Sequence, residues 1–485
     1  MKSHLTKLLE KLKNKKVAFL GIARTNIPVI KLLLDYKNSY NIEILALDSI
    51  KTKEDNFIKY LINKGVECRL GNDYLKKLDM DIIFRSPGIY YSSEDLKKAK
   101  ERNIEITSEM EEFFKICPCK TLAVTGSDGK TTTTTIVSNI LKEEGYNVHL
   151  GGNIGEPLLH KIENIKVTDI AVLELSSFQL ISMKNSPDIA VLTNISPNHL
   201  DVHKDMDEYV KAKENILKYQ NKDSLAVLNT DTEKNYKLRN KCKGKVLFFE
   251  NKDEKFLIDK SLSSTSYKEI KFVQNGAIKE NDNIYFIKDK IRDFIIKNED
   301  IKLKGNHNTE NILAAICATY NLVDKSSIVK VLSEFVGVPH RLEFVAEKEG
   351  VTYINDSIAT TPTRTIKGAL SLFNKKIILI AGGYDKNISF DLLGEKILEK
   401  VKLLILLGDT AKKIFIATKE AANNDSLGNY PEIIFTDNLE SAVKTAKTFA
   451  ANGDKVVLSP ACASFDLYKD FQERGEHFKK LVKRL

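Results

Sequence analysis

Thr125-Gly126-Ser127-Asp128-Gly129-Lys130-Thr131-Thr132 carries the most chemistry in its spacing. It follows the apolar run Thr121–Val124 and opens a helical pattern. Glycines there let backbone amides turn inward around phosphate oxygens, and a helix start adds partial positive charge. Lys130 is placed to reach the β- and γ-phosphates of a nucleoside triphosphate, and the Thr131 hydroxyl to bind Mg2+. The leading glycine stands three residues before Gly129, closer than in the usual loop, so this is a shortened variant. A bland strand-to-helix turn would leave the Gly-Lys-Thr run without a reason. The segment predicts triphosphate binding through Gly126, Ser127, Asp128, Gly129, Lys130, Thr131 and Thr132. It does not choose a reaction.

Other candidates are weaker alone. Gly21-Ile22-Ala23-Arg24-Thr25-Asn26 follows the strand-like Val17–Leu20 but lacks two of the three glycines of a dinucleotide fingerprint. It reads either as a plain βα turn or as a site for the pyrophosphate of a nucleotide-linked substrate. Asp48 ends the next apolar run, where an acidic residue often meets a ribose. Glu174 also ends an apolar run, and a carboxylate suits a hard cation. A surface Glu is its bland reading, as a structural histidine is for His199. Lys213 by itself reads as a solvated helix lysine.

These residues need strands that end beside one another, and the chain supplies them. Short apolar runs alternate with amphipathic helices, which predicts an α/β protein with parallel sheets. At 485 residues it has room for about three domains. The first start is Val17–Leu20, followed by the helix Ile27–Leu34, then Ile44–Leu47 and Ile82–Phe84. The second is Thr121–Val124, with Ala171–Leu173 and Ile189–Leu192 after it. The Lys- and Asn-rich stretch 231–300 is expected to be an antiparallel appendage of hairpins, closed by a helix from Asn308 to Tyr320. The third start follows Val336–Pro339, with Ile377–Ile380, Leu403–Leu406 and Lys455–Leu458 as buried strands. Residues 423–428 are expected to form a surface turn.

Composition narrows the partners. Hydrophobic residues are 42% and charged residues 29%, ordinary for a soluble globular protein. The net charge is +9, but lysines alternate with acids along the chain and no arginine cluster stands out, so no nucleic-acid partner is expected. No apolar run is long enough to span a bilayer, and the Lys-rich start lacks the apolar core of a signal peptide. Six cysteines, of which only Cys117 and Cys119 are closely spaced, are expected to be reduced thiols in a cytoplasmic protein.

Taken in order, several segments resemble the Mur ligase family. They are Ser86-Pro87-Gly88, Glu174-Leu175-Ser176-Ser177-Phe178-Gln179-Leu180, Asn194-Ile195-Ser196-Pro197-Asn198-His199-Leu200-Asp201, Gly305-x-His307-Asn308-x-x-Asn311 and Pro339-His340-Arg341-Leu342-Glu343. Asn355-Asp356-Ser357, Gly382-Gly383-Tyr384-Asp385-Lys386 and Leu458–Asp466 complete the set. The resemblance covers essentially the whole chain and is nearest to the member that adds D-glutamate to UDP-N-acetylmuramoyl-L-alanine. It implies three domains: 1–115, Rossmann-like, for the UDP substrate; 116–337, a P-loop-type ATPase domain with a mostly parallel sheet; and 338–485, Rossmann-like, closing over ATP and binding the amino acid. It implies an acyl-phosphate intermediate attacked by the D-glutamate amine. ATP and two Mg2+ ions are the implied cofactors, and a monomer is expected.

Residue by residue, the resemblance makes Lys130, His199 and Lys213 catalytic. Thr131, Glu174, His199 and Lys213, the last as a carbamate, become metal ligands. Asn311, Arg341 and Asp356 join the ATP site, and Ala23, Arg24, Asp48, Ser86, Gly88 and Asn153 the UDP-substrate site. Thr360, Lys386, Ser464 and Phe471 fall to D-glutamate. One departure is Ile358, where many members carry a lysine that helps hold D-glutamate. Thr360-Thr361-Pro362-Thr363-Arg364 reads as a helix start that, with Lys386, replaces it. Competing readings are another ligase of the superfamily, such as folylpolyglutamate synthase, a nicotinamide-dependent dehydrogenase, and a P-loop switch protein.

Overall fold

The computed structural model describes residues 3–196, 203–230, 232–252, 275–373, 375–386, 388–423 and 430–485. It contains three sheets in two compact units, Met1–Phe335 and Val336–Leu485.

The first sheet is wholly parallel, in the order β3-β2-β1-β4-β5. Its strands are β1 Lys16–Leu20, β2 Glu43–Asp48, β3 Glu67–Leu70, β4 Ile82–Arg85 and β5 Glu105–Thr107. β1 and β4 are apolar runs buried on both faces, as a strand between two layers of helix must be. Chain order reverses between β1 and β4, so their C-terminal ends flank a crevice.

The second sheet has nine strands in the order β14-β13-β12-β11-β10-β9-β6-β8-β7. They are β6 Lys120–Thr125, β7 Val148–Gly152, β8 Ile170–Glu174, β9 Ile189–Leu192, β10 Leu225–Asn229, β11 Lys245–Asn251, β12 Gly276–Glu280, β13 Asn283–Lys288 and β14 Ile291–Lys297. β6 lies centrally, between β8 and β9. The expected hairpins are present, but they are no separate appendage. β11 and β12 extend the central sheet in parallel, and only β12, β13 and β14 pair antiparallel. The closing helix runs Asn306–Thr319. The first two sheets share one apolar core, in which Phe19, Ile82 and Phe84 cluster with Ala123, Leu173 and Ala190 through Phe113, Leu159 and Ile162.

The second unit carries β15 Glu343–Lys348, β16 Val351–Asn355, β17 Ile377–Ala381, β18 Val401–Leu406, β19 Glu432–Phe435 and β20 Lys455–Leu458. Their order is β15-β16-β20-β17-β18-β19, parallel except for β15. Most of the turn expected at 423–428 lies outside the described residues. The expected helix start is present, with Thr361 as N-cap and Pro362 as the first helical residue.

Candidate active site

β6 delivers the glycine-rich segment to the C-terminal edge of the central sheet. Gly126 has φ +152°, and a Cβ there would sit 1.8 Å from Thr193 Oγ1. Gly129 has φ +78°, and its Cβ would sit 2.0 Å from Asn311 Oδ1. Both positions therefore require glycine, and the second brings Asn311 against the loop. Lys130 opens a helix that runs to Glu143, and Thr131 and Thr132 lie buried in its first turn. The loop is braced by the segment that follows β9: Ser127 Oγ donates to Ser196 O at 2.8 Å, and Asp128 N to Asn194 Oδ1 at 2.9 Å. Lys130 Nζ curls back to donate to Gly126 O at 2.9 Å and Ser127 O at 2.7 Å.

Glu174 ends β8, one strand away. It is buried, and its Oε1 accepts from Asn153 Nδ2 at 2.6 Å. Among the described residues, its Oε2 is buried without a hydrogen-bond partner. A carboxylate oxygen held in that state lacks the cation or donor that its desolvation calls for. With the Thr131 hydroxyl on the same edge of the sheet, the oxygen chemistry fits Mg2+.

Lys213 projects from the helix Met206–Lys218, which Asp205 caps by accepting from Glu208 N. It is 1% exposed and donates to Gly126 O at 2.6 Å, with Nζ 4.7 Å from the Tyr209 ring centre. Burial, and then the charge of Lys130, hold its ammonium well below the usual lysine range, against a smaller pull from Asp128 and Glu174. The solvated-lysine reading is thereby excluded. His199 lies outside the described residues.

The turns of the first sheet meet this edge. Gly21 packs so closely on the turn after β4 that a Cβ would lie 2.9 Å from Ser86 Cβ, while Gly88 faces open space. Ala23 and Arg24 are exposed. Arg24 donates through Nη1 to Asn153 O at 3.1 Å and through Nη2 to Gly155 O. Asp48 accepts from three backbone amides, those of Ile22 at 2.7 Å, Ile50 at 2.8 Å and Lys51 at 2.9 Å, and so clamps the turn itself. Sequence reasoning passed over Arg85. It is 1% exposed and reaches across to the central sheet's edge, donating to Ile89 O at 2.6 Å, Phe178 O at 2.8 Å and Ser182 Oγ at 3.3 Å. His203 was also passed over. Its Nε2 lies 2.9 Å from Ser177 Oγ, and its ring stacks on Phe178.

In the second unit, Asp356 follows β16, accepting from Leu342 N at 3.2 Å and Ser459 Oγ at 2.8 Å. Burial raises its carboxyl to about 6. Arg341 is exposed. Lys386 Nζ donates to Thr360 O at 3.4 Å, at the helix start. Arg364 of that helix donates to Ile358 O at 3.2 Å, bringing a second cation to the position lacking the family lysine. Ser464 is buried in the loop after β20. Arg474 holds that loop, donating to Cys462 O and Ala463 O at 3.0 Å and to Ser357 O at 2.9 Å. Phe471 packs edge-on against His340, and its carbonyl accepts from Ser357 Oγ at 2.8 Å. Nothing in local spacing marked Arg474, whose partners lie up to 117 residues away.

The Mur ligase middle domain matches residues 124–319, and the Mur ligase, glutamate ligase domain matches residues 340–462. The chain is 46% identical over 484 residues to UDP-N-acetylmuramoylalanine–D-glutamate ligase of Acetivibrio thermocellus, covering 99% of both chains. It is 45% identical over 491 residues to the protein of that name from Clostridium acetobutylicum, covering all of both. Among solved structures, a pseudomurein peptide ligase type C from Methanothermus fervidus superposes with a TM-score of 0.52 at 19% identity, over 97% of this chain and 99% of that one. UDP-N-acetylmuramate-alanine ligase from Thermotoga maritima gives a TM-score of 0.50 at 20% identity, over 97% and 99%. These two show the fold; the end-to-end identity to the first two shows the family, and the chain belongs to the Mur ligases.

Proposed function

We propose that the chain joins D-glutamate to UDP-N-acetylmuramoyl-L-alanine at the expense of ATP. The observation that carries this reading is the 46% identity, end to end, to a relative named for that reaction. The site geometry supports it. A glycine-rich loop, a helix start and Lys130 suit the phosphates, and Asn311 abuts the loop. The turns holding Ala23, Arg24, Asp48, Ser86 and Gly88 lie on the substrate side, with Asn153 bridging Arg24 and Glu174. In the second unit, Arg341 and Asp356 serve ATP, and Thr360, Lys386, Ser464 and Phe471 serve D-glutamate.

The reaction moves the γ-phosphoryl group of ATP to the substrate carboxylate. The D-glutamate amine then attacks the acyl phosphate, and phosphate leaves as the amide forms. Glu174 and Thr131 would hold Mg2+, which when bound neutralises charge on the phosphates. His199 would complete a second site. Lys213 as an ammonium would repel a cation; a buried neutral amine can add CO2 and become an anion that attracts one. We assign Lys213 as carbamylated on that ground. We place the enzyme in the cytoplasm as a monomer; among the described residues no helix is long and apolar enough to cross a membrane.

Phosphate release is expected only when ATP, Mg2+, UDP-N-acetylmuramoyl-L-alanine and D-glutamate are all present. Full activity with L-lysine or diaminopimelate in place of D-glutamate sinks the assignment.

A further inference from the structure

The segment Cys117-Pro118-Cys119 has no role in the ligase site. It joins the helix Glu109–Ile116 to β6, where the chain passes from the first sheet into the second. Cys117 is the C-cap of that helix, with φ −61° and ψ 124°. This extended backbone is what a following proline imposes. Side chains two apart on an extended backbone point to the same side, so proline at the middle position aims both thiols one way. The sulfur atoms lie 3.5 Å apart and share a hydrogen bond. Cys117 is partly exposed, whereas Cys119 is buried and packs in the core that the two sheets share. The four other cysteines are free thiols as well. Hydrogen bonding from the Cys117 thiol stabilises a thiolate at Cys119, so the pair gives up its first proton readily and its second reluctantly.

We propose that Cys117 and Cys119 form a two-electron redox site that closes to an intrachain disulfide under peroxides. One sulfur attacks a peroxide oxygen and is oxidised to a sulfenic acid, while the O–O bond breaks and water leaves. The second sulfur attacks the first, and a second water departs as the S–S bond forms. Two thiols and one hydrogen peroxide thus give one disulfide and two waters.

Trypsin cuts after Lys115 and Lys120, so the peptide Ile116–Lys120 holds these two cysteines and no other. The full-length protein is treated with hydrogen peroxide, alkylated and digested, and the peptide is weighed. The expected product is this peptide lighter by two hydrogens and unalkylated, becoming doubly alkylated once dithiothreitol is applied. It should form about tenfold faster than Cys68 or Cys242 is oxidised, because burial raises those two thiols and leaves them less of the reactive thiolate. In Cys117→Ser, dimedone should trap a sulfenic acid at Cys119. Double alkylation of the wild-type peptide after peroxide overturns the proposal. So does dimedone on one sulfur of the wild type, a disulfide between chains, or a rate no greater than that of Cys68. The wild-type measurements decide the matter even if the variant fails to fold.

Discussion

Two lysine side chains converge on one oxygen: Lys213 Nζ lies 2.6 Å and Lys130 Nζ 2.9 Å from Gly126 O. Two desolvated ammonium groups so placed repel each other, and the more deeply buried one yields its charge more readily. On the proposed reading, Lys130 is the cation at the phosphates and Lys213 the amine that takes up CO2. Lys213→Ala should therefore be nearly inactive in phosphate release, with partial rescue by a short carboxylate such as acetate filling the vacated space. Activity close to wild type, or the absence of rescue in a correctly folded variant, would count against the carbamate. D-Glutamate has two carboxylates, and the second unit places Lys386 beside Thr360 and Arg364 beside Ile358. Lys386→Ala is expected to raise KM for D-glutamate about tenfold or more while KM for ATP moves little, in keeping with a charge-assisted hydrogen bond worth about 1.5–3 kcal/mol. If KM for ATP moves instead, Lys386 is no ligand of the amino acid. At this scale the turn from β6 into its helix was legible because it is written in consecutive residues. The burial of Lys213 was not, since it comes from a helix packing on a loop 87 residues away. Arg85, His203 and Arg474 gave no local signal for the same reason.

Elements were read well where period and length were unambiguous. The buried runs of β1, β6, β9, β17 and β20 are where the apolar pattern put them. The stretch after residue 231 was read in part. The expected hairpins are there: Asn281-Asp282 and Asp289-Lys290 both adopt positive φ, as two-residue turns between antiparallel strands require. What could not be read was that β11 and β12 continue the central sheet. The helix Glu109–Ile116 offers a test at this scale. Glu109 is buried and accepts from Leu158 N at 2.8 Å and Leu159 N at 2.9 Å, tying that helix to the 3-10 turn Leu159–Asn164. Burial raises its carboxyl from 4.5 to about 7. The folded protein then holds this proton more tightly than the unfolded chain does. Its contribution to stability is full below about 4.5 and is lost as pH rises through about 7. At about 1.4 kcal/mol per tenfold in proton affinity, the loss is about 3 kcal/mol. Glu109→Gln keeps the accepting oxygen and removes the titration. Denaturant midpoints of the two proteins should diverge between about pH 5 and pH 8, the wild type falling relative to the variant. A constant difference across that range would show that the carboxyl ionises at its ordinary value.

At the scale of the whole molecule, each of the three starts in the sequence has its own sheet, and the first two of these sheets share a core. The third sheet covers both of its faces from its own unit. Ile354, Leu379, Leu404 and Val457 build the core on one side, and Tyr353, Ile378, Ile405 and Val456 build the other. The first sheet cannot do this, because its Phe19 and Phe84, with Phe113 of the helix Glu109–Ile116, are covered in a cluster that includes Leu158, Leu159, Ile162 and Leu173 of the following segment. Uncovering a large apolar side chain costs about 1.5–3 kcal/mol, and a domain has only about 5–15 kcal/mol in total. Losing that cover for several such residues exceeds what a small parallel sheet can withstand. The fragment Val336–Leu485 should therefore unfold cooperatively on its own, with slowly exchanging amides in β17, β18 and β20. The fragment Met1–Lys115, which ends short of its covering partner, should give no cooperative transition and should bind a dye for exposed apolar surface. Circular dichroism melts and hydrogen exchange on the two fragments decide between two folding units and three. A sharp melt from Met1–Lys115 would mean that the shared core is an interface between separately stable bodies, and a molten Val336–Leu485 would mean that its two cores are not self-sufficient.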